Sequence, residues 1–297
     1  FVEAAYGDGS QGTRAPGRFA WPVVAGTGQV SQAYVAANFP DGVVHVHGGD
    51  NTAYLFGTFG RAYVPFGVGM VQALRPPATS QRAAWDLAFV PIDITDAAGR
   101  ALGQVDGAFQ GFTHAVSFDD ESITVRQGFV LSRRSDDGAT AIDSGLRLVE
   151  VMHVTAGAAG TTVDLTSTYT NTTAAPQTIT TRLGTNAWAD DQAAWSFPWQ
   201  GAAYAQSANR TTIGDVPGPG YLAVQDVLHP GSESNHGWVA WDRRPDLLAF
   251  SSASAVSDEL IATYVLTIPA NGSLTLRFAA GATGTAAETE AAAAARV

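Results

Sequence analysis

The chain has 297 residues, 45% of them apolar and only 14% charged, and 16 basic residues against 27 acidic ones leave a net charge of −11. That length can bury a full core in one large domain or two small ones, while the acidic balance disfavours nucleic acid, anionic lipid and polyanionic sugars as partners. The lack of cysteine excludes disulfides, thiolate metal sites and Cys nucleophiles, and no apolar run nears the ~18 residues of a membrane-spanning helix.

Every basic residue is Arg, which removes the lysine of a phosphate-binding P-loop and the amine of Schiff-base catalysis. No G-x-S-x-G motif is present to mark an α/β-hydrolase nucleophile. A low-charge composition rich in Thr, Ser and Gly suits an exported bacterial β-protein, secreted or held at the cell surface. Its expected partners are neutral molecules.

In chain order, strand-like runs read VVHVH at 43–47, AYVPF at 62–66, WDLAFVPIDIT at 85–95 and ITVRQGFVL at 123–131. LRLVEVMHV at 146–154, TVDLTSTYT at 162–170 and QTITTRL at 177–183 follow. The last are YLAVQDV at 221–227, GWVAWD at 237–242, LIATYVLTI at 260–268 and SLTLRFA at 273–279. These runs are rich in β-branched and aromatic residues and are bounded by Gly, Pro, Asn or Asp, the pattern of strands. Asp137-Gly138 and Asn271-Gly272 suit tight turns because these residue types tolerate positive φ, and short turns imply antiparallel pairing.

The stretch 184–220 reads as a long irregular zone. Only TAAETEAAAAAR at 285–296 reads as a helix, Glu early and Arg late, with no apolar stripe beyond Ala; such a helix is expected to pack loosely. No fixed-period repeat suggests a solenoid or propeller. The expected fold is therefore all-β, a large two-sheet antiparallel β-sandwich with a short C-terminal Ala-rich helix. Residues 1–283 are expected to form a single β-domain and 284–297 a helix or linker; a split into two β-halves near residue 140 is the alternative.

Residues 146–188 carry Arg147 on a strand, a turn at Ala156–Gly160, and a following strand that ends in Tyr169-Thr170-Asn171. With the close IPANGSLTLRFAAGATGTAAETEAAAAARV, this resembles the supersandwich β-domain of galactose-mutarotase-like, carbohydrate-active enzymes. The resemblance implies a supersandwich fold and a place among glycoside-processing proteins, where such a domain can precede a catalytic helical region. It also implies a catalytic His soon after the Thr-Asn strand. Here that region reads Thr185-Asn186-Ala187-Trp188, and the surroundings of His114 and Glu259 do not match the family's second His and late carboxylate. No mutarotase active site is carried over.

The densest chemical cluster runs from Asn186 through Trp188, Asp190, Asp191, Gln192, Trp195 and Phe197 to Trp199. Indoles stack on the C–H face of a sugar while carboxylates and amides bond its hydroxyls; the competing reading is that the tryptophans plug the core beneath a loop. Asp190 and Asp191 are adjacent, so on a strand they point to opposite faces, and only one could join a distant acid in a glycosidase pair. His45 and His47 would share one strand face, as substrate contacts, joint ligands of a divalent metal or ordinary strand histidines; otherwise no cofactor is expected. Glu233 and His236, near Asp226, His229, Trp238, Trp241 and Asp242, could supply acid–base groups, with Trp238 as a further sugar contact, or form a solvated loop closed by tryptophans. The acidic turns Asp119-Asp120-Glu121 and Asp136-Asp137 with Asp143 could hold calcium or be plain hairpin turns.

Three functions follow. One is an enzyme acting on neutral glycans, a glycoside hydrolase with an Asp/Glu pair. Another is a non-catalytic carbohydrate-binding β-domain of a larger glycoside-processing enzyme. The last is a self-associating structural surface protein.

Overall fold

The computed structural model describes the backbone of residues 2–5, 29–30, 43–48, 51–56, 70–74, 83–103, 113–118, 122–138, 140–157, 160–189, 193–197, 202–205, 212–214, 216–226, 236–250, 259–283 and 286–297. Described side chains lie mainly in 93–103, 128–153, 162–184, 216–223, 237–249, 260–281 and 287–297. AYVPF at 62–66 lies outside the described residues.

The described strands are, in chain order, β1 (Val2–Ala5), β2 (Gln29–Val30), β3 (Val43–Gly48), β4 (Asn51–Phe56), β5 (Met70–Leu74), β6 (Ala83–Asp96), β7 (Thr113–Phe118), β8 (Ser122–Arg134), β9 (Ala141–Gly157) and β10 (Gly160–Asn171). There follow β11 (Gln177–Ala189), β12 (Ala193–Phe197), β13 (Ala202–Ala205), β14 (Thr212–Ile213), β15 (Gly220–Asp226), β16 (His236–Trp241), β17 (Leu247–Phe250), β18 (Glu259–Ile268) and β19 (Ser273–Thr283). A single helix, α1 (Ala286–Ala294), closes the described chain.

The architecture is all-β and antiparallel, as expected. A ten-stranded sheet runs β13-β12-β15-β16-β19-β10-β9-β8-β7-β2, and a five-stranded sheet runs β14-β17-β18-β11-β6. A further four-stranded sheet, β1-β3-β4-β5, was not anticipated; its strands are short and Gly-flanked, so only VVHVH stood out. The supposed irregular zone 184–220 also holds regular structure, namely the end of β11 and β12 to β14. Its Ala- and Trp-rich runs lack the β-branched signature and so read as loop.

Alternation builds the core. Leu146, Leu148 and Met152 on β9, Val163, Leu165 and Tyr169 on β10, and Leu276 and Phe278 on β19 are buried. So are Ile179 and Leu183 on β11 and Leu260, Tyr264, Leu266 and Ile268 on β18. Period-two burial on both sheets is the mark of inner sandwich faces. Side-chain contacts join the sheets. The Tyr169 hydroxyl and Thr181 Oγ1 lie 3.0 Å apart, and the Tyr264 and Phe278 rings meet edge-on at 5.9 Å, a geometry worth ~1 kcal/mol beyond area burial.

The Thr-Asn close of β10 is a scaffold device. Asn171 is fully buried; its Nδ2 donates to Ala175 O at 2.7 Å and to Ile268 O at 3.3 Å, and its Oδ1 accepts from Thr173 N at 2.9 Å. One side chain thus ties the β10–β11 turn to the end of β18. Asn271, at φ 48°, makes the β18–β19 turn, in a conformation that Asn tolerates better than most residues.

Helix α1 packs closely, against expectation. Ala293, Trp238 and Ala240 are all buried together, with Tyr221, Ala279 and Ala292 packed around them. Small side chains let the helix sit directly on the indole. A Cβ at Gly281 would lie 2.6 Å from the Trp238 ring, so the strand beneath must also be bare. Arg296 falls beyond the last turn and pairs with Asp164 at 2.8 Å, rather than capping the helix dipole.

Candidate functional site

The aromatic segment runs between the two large sheets. Strand β11 belongs to the five-stranded sheet and β12 to the ten-stranded one, so the chain changes sheet between Ala189 and Ala193. Asn186 lies in register with Glu259 on β18 and with Asp86 on β6, while Trp188 faces Ala84 across the ladder. Trp195 lies in register with Tyr204 and Val224. Asp190, Asp191, Gln192 and Trp199 lie outside the described residues, as do the side chains of Asn186, Trp188 and Trp195.

Register therefore assembles three adjacent positions, Asp86, Asn186 and Glu259, that the sequence alone did not bring together. Neighbouring strands lie ~4.8 Å apart, which puts positions 86 and 259 about 10 Å apart across β11. Asp86 was hidden inside an alternating apolar strand. The sequence around Glu259 does not match the family's late carboxylate, and only the pairing of β18 with β11 places it beside Asn186.

His45 and His47 occupy β3, where His45 is in register with Glu3 and Tyr54, and His47 with Thr52; their side chains lie outside the described residues. Among the described residues no group of His, Asp or Glu is arranged to hold a metal ion. Asp143 is committed to the Arg147 guanidinium at 2.8 and 2.7 Å, which holds its carboxyl below the usual carboxylate range against the effect of partial burial. Asp137 accepts from the Ser135 hydroxyl. Asp137 and Asp143 thus serve local structure.

Of the cluster around 226–242, Glu233 and the side chain of His236 lie outside the described residues, and the His236 backbone is in register with Thr283. Trp238 is placed differently from its reading as a sugar contact. It is 1% exposed beneath α1, and an indole covered on both faces offers none to a ligand. Trp241 is likewise buried, its Nε1 donating to Pro217 O at 2.9 Å. Trp238 seats α1 on the outer sheet face, whereas Trp241, three residues on and in register with Phe278, belongs to the inner one.

The reading of the sequence missed one acid with unusual chemistry. Glu150 is buried on β9, in phase with Leu146, Leu148 and Met152. Burial pushes its carboxyl up to about 8, the neighbouring Ser167 hydroxyl easing the shift only in part. Glu150 Oε1 and Ser167 Oγ make no hydrogen bond of good geometry. A carboxyl so placed is neutral near pH 7 because ionisation would leave an unpaired charge in the core. The signal was present in the sequence, as a Glu in the apolar phase of LRLVEVMHV.

No protein-family model matches the sequence, and no curated protein matches it. Solved structures do overlay on it. The Slr1438 protein from Synechocystis sp. PCC 6803 is 9% identical with a TM-score of 0.48, over 82% of this chain and 96% of that one. A galactose mutarotase related enzyme from Lactobacillus acidophilus is 9% identical with a TM-score of 0.47, over 82% and 98%. The galactosidase domain of the alpha-galactosidase-sucrose kinase AgaSK is 8% identical with a TM-score of 0.43, over 82% of this chain and 40% of that one. At such identities and scores these likenesses assign neither activity nor ligand.

Proposed function

We propose that this protein is an exported, carbohydrate-active β-sandwich that engages neutral glycans through residues 186–199 and hydrolyses them with a carboxylate pair. The observation that carries the reading is the passage of this indole- and carboxylate-rich segment between the two sheets, beginning beside the adjacent positions Asp86, Asn186 and Glu259. Aromatic faces and mixed carboxylate and amide groups are the recognition set for a polyhydroxylated, uncharged ligand. One member of the pair is Asp190 or Asp191. The other is Asp86 or Glu259, whose positions flank Asn186 on the neighbouring strands at the start of the segment. Glu233 and His236 remain candidates for proton transfer.

A second reading, a non-catalytic carbohydrate-binding domain of a larger glycoside-processing enzyme, is favoured by one feature: residues 185–188 carry no histidine. The two readings separate in one experiment. The wild type, Asp190→Asn, Asp191→Asn, Asp86→Asn and Glu259→Gln are assayed for reducing-end release from a panel of neutral oligosaccharides, with binding followed by calorimetry. Catalysis requires that one substitution in each half of the pair lower turnover ~100-fold or more while binding persists. Binding without release by the wild type supports the second reading, and neither binding nor release defeats both.

A further inference from the structure

At the other end of β6, a short return joins the two large sheets. Thr95 bridges Ala101, and Gly103 bridges Ser132, so residues 101–103 stitch the five-stranded sheet to β8 of the ten-stranded one. The seam is closed by Leu102 N donating to Ile94 O at 2.8 Å and Gly103 N donating to Ser132 O at 2.9 Å. A cleft of about 340 Å³ opens there, lined by Arg100, Leu102, Ser132, Arg134 and Asp136 among others.

Its lining carries an unexplained polar atom. Strict alternation after buried Leu131 would turn Ser132 outward, but the β8–β9 register shifts between these two residues. A bulge re-aims the side chain that follows it. Ser132 is 2% exposed, and its Oγ has no hydrogen-bond partner. A buried hydroxyl left unsatisfied costs ~1–3 kcal/mol, a cost that a ligand group reaching Ser132 from the cleft it lines would relieve. Beside it, Arg100 gives Nε and Nη2 to Asp96 Oδ2, each at 2.7 Å. That pairing fixes the guanidinium. Across the cleft, Arg134 is held by its Nη1 bond to Gly138 O at 2.9 Å.

We propose that this seam cleft is a second ligand site, for a neutral polyhydroxylated molecule the size of one monosaccharide. The cleft lies at the small end of the ~300–1,000 Å³ range of ligand pockets. Its polar set mixes donors, the guanidinium groups, with an acceptor, Asp136, and a hydroxyl that does both. Sugar hydroxyls match that mixture because each both gives and accepts. An oxyanion matches it less well: Asp96 already neutralises Arg100, Asp136 stands on the wall, and the chain carries −11 overall. The site is separate from the aromatic segment. Trp188 is in register with Ala84 and Ile179 with Asp96, which puts about 40 Å of strand between them. The proposal therefore stands or falls independently of the function assigned to residues 186–199.

The test is an amide-resonance titration of the isotope-labelled full chain with glucose, galactose and myo-inositol, using inorganic phosphate and galacturonate as anionic comparisons. We expect saturable shifts at residues 100–103 and 131–136 with neutral polyols in the millimolar range. Ser132→Ala should weaken them about fivefold to tenfold without lowering stability, since it removes an unsatisfied group, and Arg100→Gln should weaken them comparably. Trp188→Ala should leave them unchanged. Shifts with the anions alone, no shifts at the seam, or undiminished binding by Ser132→Ala would each overturn the proposal.

Discussion

Glu150 shows how one residue sets a pH dependence for the molecule. Its carboxyl rises from 4.5 to about 8 on folding because burial strips its solvent. Between those values the folded protein keeps a proton that the unfolded chain has released. Stability therefore falls as pH rises through this window, by about 1.4 kcal/mol per pH unit from this group alone. Above it both states are ionised and the contribution levels off. We expect Glu150→Gln to remove this slope and to raise stability at the upper end of the window by ~2 kcal/mol or more. Urea midpoints of wild type and variant across the window check this; parallel curves would mean that Glu150 is not neutral in the fold. Asn171 makes a contrasting point at the same scale. The sequence marked it through the Thr-Asn strand ending, but its work is structural, and a sequence motif does not say whether an amide serves a turn or a substrate.

At the scale of elements, long alternating strands were legible and short ones were not. β8 to β11, β18 and β19 carry enough β-branched residues in phase for the strands and their period to be read, but not their full lengths, since β9 begins five residues before LRLVEVMHV and β11 runs six beyond QTITTRL. β4, β12 and β13 read AYLF-, AAWSF- and AAYA-like, where small residues blur the period. Of these, β12 receives the aromatic segment after the chain leaves β11 and the other large sheet, so the cluster's composition could be read but not its place. The helix was legible from Ala content and its seat was not, because that depends on Gly281 leaving room for Trp238 across the sheet. We expect Ala293→Asp to unseat α1, since it buries a charge against the indole, at a cost of ~2–4 kcal/mol. Hydrogen exchange should then accelerate throughout 286–294 while β9, β10 and β19 remain protected. Unchanged protection of the helix would show that Ala293 is not its anchor.

At the scale of the whole molecule, the sheet order explains why chemistry concentrates where the chain changes sheets. Edges and crossings leave polar groups that a continuous ladder would satisfy, and both proposed ligand sites lie at such joins, one between β11 and β12 and the other at the 101–103 return. Low charge and a net −11 suit an uncharged ligand at either place. The aromatic segment is the central claim, and its most direct test is calorimetric titration of a neutral oligosaccharide panel into wild type, Trp188→Ala, Trp195→Ala and Trp199→Ala, with thermal midpoints measured alongside. Each lost stacking platform should cost ~1 kcal/mol or more of binding, about fivefold in affinity, at unchanged midpoint for at least two of the three. Affinity that survives all three substitutions, or that falls only as the fold melts, would contradict it.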